Sequence, residues 1–292
     1  MPRTVAEGFR DFLASLTPSG VESAAATGHR ASIEACLKNN FVLNRLFRTG
    51  STGNGTSISG YSDVDYFASL GTNDLSDNST YTLTTVRDAL DKRFPNTGVR
   101  VNCPAVKVPF GTVASETTEV VPADCVAQAG NQKYLVYDIP DCKGGWMRSS
   151  PDAHNDYVRA IDNKHTGKVK PLIRFVKAWK FFKQVPISSF YLELRVAKYA
   201  DGESGISYAY DVQRVFDMLY RNNLADMQDP TGISGYIHAC RTETMYEDAR
   251  SKLLTASARA DKALDAYKKD EFKDAFGWWD LLWDGKFPSY YK

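Results

Sequence analysis

The sequence predicts an α+β fold of two lobes, a mixed sheet with flanking helices over residues 1–165 and a helical lobe over 166–292. Three observations predict it. Between Val99 and Val121 lie short valine-rich runs bounded by Pro or Gly, which suit a sheet. From Lys170 onward the pattern is mainly helical. Between the two regions, Asn163–Lys170 is a polar stretch containing His165, Gly167 and several lysines, as expected of a boundary. At 292 residues the chain is long enough for two such lobes, and a cleft between lobes is the usual place for a ligand.

The elements follow in order. Thr4–Leu16 reads as a helix with Phe9, Phe12, Leu13 and Leu16 at helical spacing, and Val21–Asn40 as a second helix. A glycine-rich turn, Gly50-Ser51-Thr52-Gly53-Asn54-Gly55-Thr56, leads into a strand at Ser62-Asp63-Val64-Asp65-Tyr66-Phe67. Thr84–Arg93 is amphipathic and closed by Phe94-Pro95-Asn96. Strands are expected at Val99–Asn102, Ala105–Phe110 and Thr118–Val121. Asp124–Asp152 reads as irregular, because Pro140, Gly144, Gly145 and Pro151 interrupt it. In the helix Pro171–Lys180, Leu172, Phe175, Val176 and Trp179, with Phe182 just beyond, fall on one side, and Lys170, Arg174 and Lys177 form a basic stripe opposite, with Lys180 at its edge.

Composition narrows the function classes. The apolar fraction of 43% is ordinary for a protein with a real core. A net charge of +1, from 36 basic and 35 acidic residues, argues against broad attraction to a long nucleic acid. No run of about 18 apolar residues predicts a membrane span. Met1–Leu16 carries Glu7 and Asp11 and lacks a signal-peptide pattern. The cysteines, Cys36, Cys103, Cys125, Cys142 and Cys240, are odd in number and scattered, and read as reduced, mostly buried thiols. A cytoplasmic protein is expected.

The glycine turn and the paired acids carry the chemistry. Alternate strand side chains share a face, so Asp63 and Asp65 lie together with Val64 behind them. Two adjacent carboxylates repel unless a cation lies between them, and hard oxygen donors suit Mg²⁺. Backbone N–H groups and a hydroxyl in the turn suit the phosphates such a metal would carry. An EF-hand would need Gly and Glu where Ala68 and Asp74 stand, and no glycine of the turn precedes the Lys-Ser/Thr of a Walker loop. Glu119, an acid inside a short apolar strand, is the leading third ligand; its bland alternative is an outward-facing strand residue. Asp124, Asp138 and Asp141 sit in loop-like surroundings. The basic stripe is either a solvated face or a triphosphate contact, with Lys177 reaching across the cleft and Ser188 or Ser189 donating a hydrogen bond. Phe190 and Tyr191 could stack on a base, although aromatics there are more often core. The candidates for base choice are Tyr191, Asn131 and Asn155. His29, His154, His165 and His238 pair with no obvious nucleophile in sequence.

The order Gly50-Ser51, Asp63-Val64-Asp65, Glu119-Val120-Val121-Pro122-Ala123, Trp146, Ser150-Pro151, His154, Lys177-Ala178-Trp179, Ser188-Ser189-Phe190-Tyr191-Leu192-Glu193, Asp229-Pro230 and Phe287-Pro288 resembles the bacterial CD-NTases. These are cyclic-oligonucleotide synthases of anti-phage (CBASS) signalling, relatives of animal cyclic GMP-AMP synthase and oligoadenylate synthase in the polymerase-beta-like nucleotidyltransferase superfamily. The resemblance spans nearly the whole chain. It implies that Asp63, Asp65 and Glu119 hold two Mg²⁺ (or Mn²⁺) ions, with Glu standing where many members carry Asp. It also implies that Gly50, Ser51, Lys177 and Ser189 bind ATP or other nucleoside triphosphates, and the residue reading adds Tyr191 as a nucleotide-binding candidate. The implied product is a cyclic di- or trinucleotide messenger read by a downstream effector, and some relatives need an activator protein. Two other readings stand beside it: nucleotidyl transfer to an RNA 3′ end or a protein, and a catalytically inactive nucleotide-binding module.

Overall fold

A computed structural model describes residues 1–61, 63–111, 116–129 and 133–291; Ser62 and Asn131 lie outside these. Helix α1 (Val5–Leu16) opens at Thr4, whose hydroxyl accepts from the Glu7 N–H while the Glu7 carboxylate accepts from the Thr4 N–H. This reciprocal cap is the expected helix start for a Thr-x-x-Glu sequence. Helix α2 (Gly20–Asn40) leads to strand β1 (Leu43–Arg48), the short helix α3 (Gly50–Asn54), strand β2 (Val64–Leu70) and helix α4 (Ser79–Arg93). Strands β3 (Arg100–Asn102), β4 (Ala105–Phe110), β5 (Glu116–Ala129), β6 (Tyr134–Pro140) and β7 (Trp146–Ser149) complete the main sheet.

The sheet is mixed. Its order is β1-β2-β5-β4-β3, with β6 on the outer half of β5 and β7 beside β6. Only the β2–β5 pair among these is parallel. Pro122 sits mid-strand in β5 without breaking it. On that edge β4 pairs as far as Val120 and β6 begins at Asp124, so the missing Pro N–H falls where the neighbouring strand changes.

Two expectations are corrected here. The stretch Asp124–Asp152 is ordered sheet: β5 runs on to Ala129, then β6 and β7 form a hairpin. Its breakers are hairpin punctuation. The Asp141 carboxylate accepts from the N–H groups of Lys143 and Gly145, and Gly144 takes φ +93. The cysteines also differ, since Cys103 and Cys142 form a disulfide whose Cα atoms are 5.6 Å apart. Of the others, Cys36 is buried, Cys240 half-buried and Cys125 exposed. The bond joins the β3–β4 turn to the β6–β7 turn, 39 residues apart in sequence.

The helical region comprises α5 (Pro151–Lys164), α6 (Val169–Phe182), α7 (Ser189–Asp201), α8 (Tyr208–Arg221), a small ribbon of β8 (Met227–Gln228) and β9 (Tyr236–Ile237), α9 (Glu243–Lys268) and α10 (Phe272–Leu282). Its core is aromatic. Phe9 and Phe12 of α1 pack against Phe175, Trp283 and Phe287, so the first helix of the chain serves the core built by the last. The Arg3 N–H donates to the Tyr290 carbonyl at 2.7 Å, tying the two ends together. Separate apolar clusters line the two faces of the sheet, one around Tyr66, Val86, Leu90 and Val106, the other around Phe67, Val121 and Tyr137. No helix among the described residues is long and apolar enough to cross a membrane.

Candidate active site

The parallel pairing of β2 with β5 sets Asp65 directly beside Glu119, and Asp63 lies just before β2. The expected acids are therefore brought together by register. Burial, and then repulsion from Glu119 and Asp63, push the Asp65 carboxyl up to about 8. Burial also raises Glu119, although the Asn102 amide donates to its Oε1 at 2.7 Å and opposes the shift. A lysine completes the cluster. Lys107 on β4 is the register partner of Glu119; its Nζ is 2.7 Å from Asp63 Oδ2 and 3.8 Å from Glu119 Oε1.

Three hard oxygen donors on one sheet face, the Asp65 carboxyl among them raised by burial and by its two acidic neighbours, fit a divalent cation better than they fit one another. Among the described residues, no group of three His, Cys, Asp or Glu stands ready-formed around a metal position. Asp63, Asp65 and Glu119 would hold the ion. The weaker candidates are engaged elsewhere: Asp124 accepts from Thr72, Asp138 pairs with Arg148, and Asp141 forms the hairpin turn.

The glycine turn abuts the acids. The Thr49 N–H donates to the Asp65 carbonyl at 2.9 Å, and Gly50 follows with φ +54. A Cβ on Gly50 would lie 2.2 Å from Asp65 Oδ2, so only glycine fits both the conformation and the space. Beyond Ser51 the turn is held from the helical side. Glu193 of α7 accepts from the Asn54 amide through Oε1 and from the Thr56 hydroxyl through Oε2. Asn155 also sits against this turn, near Gly53.

Lys177 is not in the open cleft. Its side chain is 1% exposed, and its Nζ donates to the Thr56 carbonyl at 3.1 Å and pairs with Glu193 at 3.5 Å. Of the basic stripe on α6 only Lys177 is buried; Lys170, Arg174 and Lys180 are half-buried, and Arg174 Nε donates to the Ser57 carbonyl at 3.1 Å. The lysine on Ser189 is Lys180, whose Nζ donates to Oγ at 2.5 Å. Burial and the nearby Lys177 lower Lys180 to about 8, while Asp63, Asp65 and Glu119 pull it back upward. Ser188 caps α7 by accepting from the Tyr191 N–H. Tyr191 is a core residue: it is fully buried, donates its hydroxyl to the Ala225 carbonyl and accepts from Arg195. Burial therefore removes it as a stacking surface, whereas its neighbour Phe190 is exposed. His154 of the motif series bonds Asp229 at 3.0 Å, fastening α5 to the loop between β8 and β9.

Lys107, Asn102 and Arg241, whose charge bears on Glu119, were not legible as site residues. For Lys107 a signal existed, a single cation in the apolar run Ala105-Val106-Lys107-Val108. Asn102 is the last residue of the short strand β3 and Arg241 lies in the connection before α9, neither with a sequence pattern that marks a site.

A family model described as the Second Messenger Oligonucleotide or Dinucleotide Synthetase domain (SMODS) matches residues 3–161. The chain belongs to this family. It is a CD-NTase of the polymerase-beta-like fold, as its motif order resembled. A probable cyclic nucleotide synthase of Bacillus cereus (strain VD146) is 25% identical over 175 residues, 59% of this chain and 52% of that protein. The chain thus matches about half the length of that relative. A cyclic AMP-AMP-AMP synthase of Acinetobacter is 24% identical over 307 aligned positions, covering 98% of this CD-NTase and 86% of the relative. Among solved structures, Escherichia coli MS115-1 CdnC with ATP superposes with TM-score 0.74 at 18% identity, covering 97% and 98% of the two chains. Vibrio cholerae DncV in its apo form gives 0.64 at 14% identity, covering 84% and 69%. These structures share the fold.

Proposed function

We propose that this CD-NTase joins nucleoside triphosphates into a cyclic di- or trinucleotide with release of pyrophosphate, using Mg²⁺ or Mn²⁺. The observation that carries this reading is the register of Asp65 beside Glu119, with Asp63 adjacent and the Gly50–Ser51 turn against them. A 2′- or 3′-hydroxyl oxygen of one nucleotide attacks the α-phosphorus of another. The bond to the β-phosphate oxygen breaks, and a second such transfer closes the ring. Bound divalent ions would lower the pKa of the attacking hydroxyl and neutralise charge on the triphosphate. Asp63, Asp65 and Glu119 supply their ligands. The Ser51 hydroxyl and the turn's backbone N–H groups bind the donor phosphates.

We assign the opposing phosphate contact to Lys180 with Ser189, because the Lys177 ammonium is committed to Glu193 and Thr56. Lys177 then supports the turn from below. In-line displacement needs mainly placement and charge compensation, which this arrangement supplies. We propose with it a messenger role in antiviral defence, an effector that reads the product and an activator protein; supporting the last, E. coli MS115-1 CdnC has been solved as a CdnC:HORMA-deltaN complex. The test is pyrophosphate release on mixing the protein with all four ribonucleoside triphosphates and Mg²⁺. Release should need the metal and vanish in Asp63→Asn/Asp65→Asn; release that persists in that variant refutes the assignment.

A further inference from the structure

We infer that Lys107 is a built-in counter-cation of the acid cluster, which a divalent ion must displace, so that it sets the metal threshold of the nucleotide-free enzyme. The inference rests on reading Asp63, Asp65 and Glu119 as metal ligands. It starts from the sheet. Antiparallel pairing of β4 with β5 puts Lys107 opposite Glu119, and directly opposed side chains share a face. The Lys107 ammonium reaches past Glu119 at 3.8 Å to Asp63 at 2.7 Å, and thus lies on the two carboxylates that flank Asp65. Its side chain is 21% exposed, against 34% for Asp63 and 19% for Glu119. The whole cluster is consequently screened only partly by water.

Without a cation, three carboxylates on one sheet face repel, and Lys107 supplies the compensating charge. An ion bonded to Asp63 and Glu119 at ordinary Mg²⁺ or Mn²⁺ distances, roughly 2 Å, would occupy the space of this ammonium. Both cannot be there. Lysine suits the task because its charge is compact and its stem flexible, so it can leave along the sheet surface; an arginine fork would hold the carboxylates more rigidly. Asn102 does not have to move with it, since its amide reaches Glu119 from the end of β3.

The experiment is direct Mn²⁺ binding to the nucleotide-free protein, read from the loss of the free-Mn²⁺ electron paramagnetic signal and by calorimetry. Lys107→Met and Lys107→Gln should each bind Mn²⁺ more tightly than wild type, on the order of tenfold, because a positive charge a few ångströms away has gone. Both should also melt at lower temperature without metal and recover with it. Equal or weaker Mn²⁺ binding by both variants overturns the inference, because it would make Lys107 a support for the metal-binding conformation. The variant Asp63→Asn/Glu119→Gln separates the two layers of argument. Loss of Mn²⁺ binding there upholds the metal site, while full retention removes the metal-site reading itself, whatever Lys107 does.

Discussion

Gly50→Ala should disable the enzyme while leaving it folded. The new Cβ would lie 2.2 Å from Asp65 Oδ2 and 2.9 Å from its Cγ, more than an ångström short of ordinary contact. Either the Asp65 carboxylate swings away or the turn carrying Ser51 retreats. Both disrupt the alignment of acids and donor phosphates, and a displacement of about 1 Å in such a site costs roughly 100-fold in rate. The φ of +54 adds strain for any side chain, about 1–2 kcal/mol of stability. Gly55→Ala is the control. Gly55 takes φ +68, but nothing lies within 4 Å of a Cβ built there, so it should incur the same strain without the clash. The assay is initial rate of pyrophosphate release alongside urea unfolding of both variants. Gly50→Ala should lose about 100-fold and Gly55→Ala less than about tenfold, at similar stability loss. Equal rate losses, or a fully active Gly50→Ala, would refute the claim that the turn must close onto Asp65.

Other outcomes follow from the same geometry. Lys180→Ala should weaken nucleoside triphosphate binding by about 10- to 100-fold, the worth of one charge-assisted contact, as measured by calorimetry. Lys177→Met, which leaves the buried Glu193 carboxylate unpaired, should instead lower unfolding free energy by about 3–5 kcal/mol. The raised Asp65 carboxyl sets a pH dependence. Its folded value of about 8 lies above the unfolded value near 4, so the metal-free fold loses stability as pH rises between them and levels off above about 8. Melting curves of wild type and Asp65→Asn should converge towards pH 4 and diverge progressively up to pH 8, with the variant more stable; parallel curves would contradict the shift. Breaking the Cys103–Cys142 bond opens a closure of 39 residues, and reduction should lower unfolding free energy by up to about 4 kcal/mol in denaturant titrations, with Cys103→Ser/Cys142→Ser matching it.

The acids were legible because their placement depends on local rules. Strand alternation aligned Asp63 with Asp65, and an acid in an apolar strand marked Glu119. The phosphate side depends on how α6 rotates against α7, which no sequence period fixes. Lys177 and Lys180 are one turn apart on that helix, and the packing of Glu193 buries one while Ser189 receives the other. The burial of Tyr191 is illegible for a similar reason, since a helix with apolar residues on most sides presents no obvious outer face. Strand β1 went unread because it is an edge strand carrying Arg45 and Arg48, with a bulge between Leu43 and Arg45. The β6–β7 hairpin reads as loop because Pro140, Gly144 and Gly145 look the same in a sequence whether they break structure or turn it. The disulfide joins two such turns, and pairing between distant cysteines leaves no trace in spacing.

The central claim is cyclic nucleotide synthesis at the Asp63–Asp65–Glu119 cluster. The most direct test incubates the protein with the four ribonucleoside triphosphates and Mg²⁺ or Mn²⁺, together with the activator protein if one is known, then applies phosphatase and mass spectrometry. The account predicts a phosphatase-resistant species with the mass of a cyclic di- or trinucleotide, absent from Asp63→Ala/Asp65→Ala. A product confined to linear, phosphatase-sensitive chains that lengthen on added RNA would contradict it, as would a cyclic product still formed by the double variant.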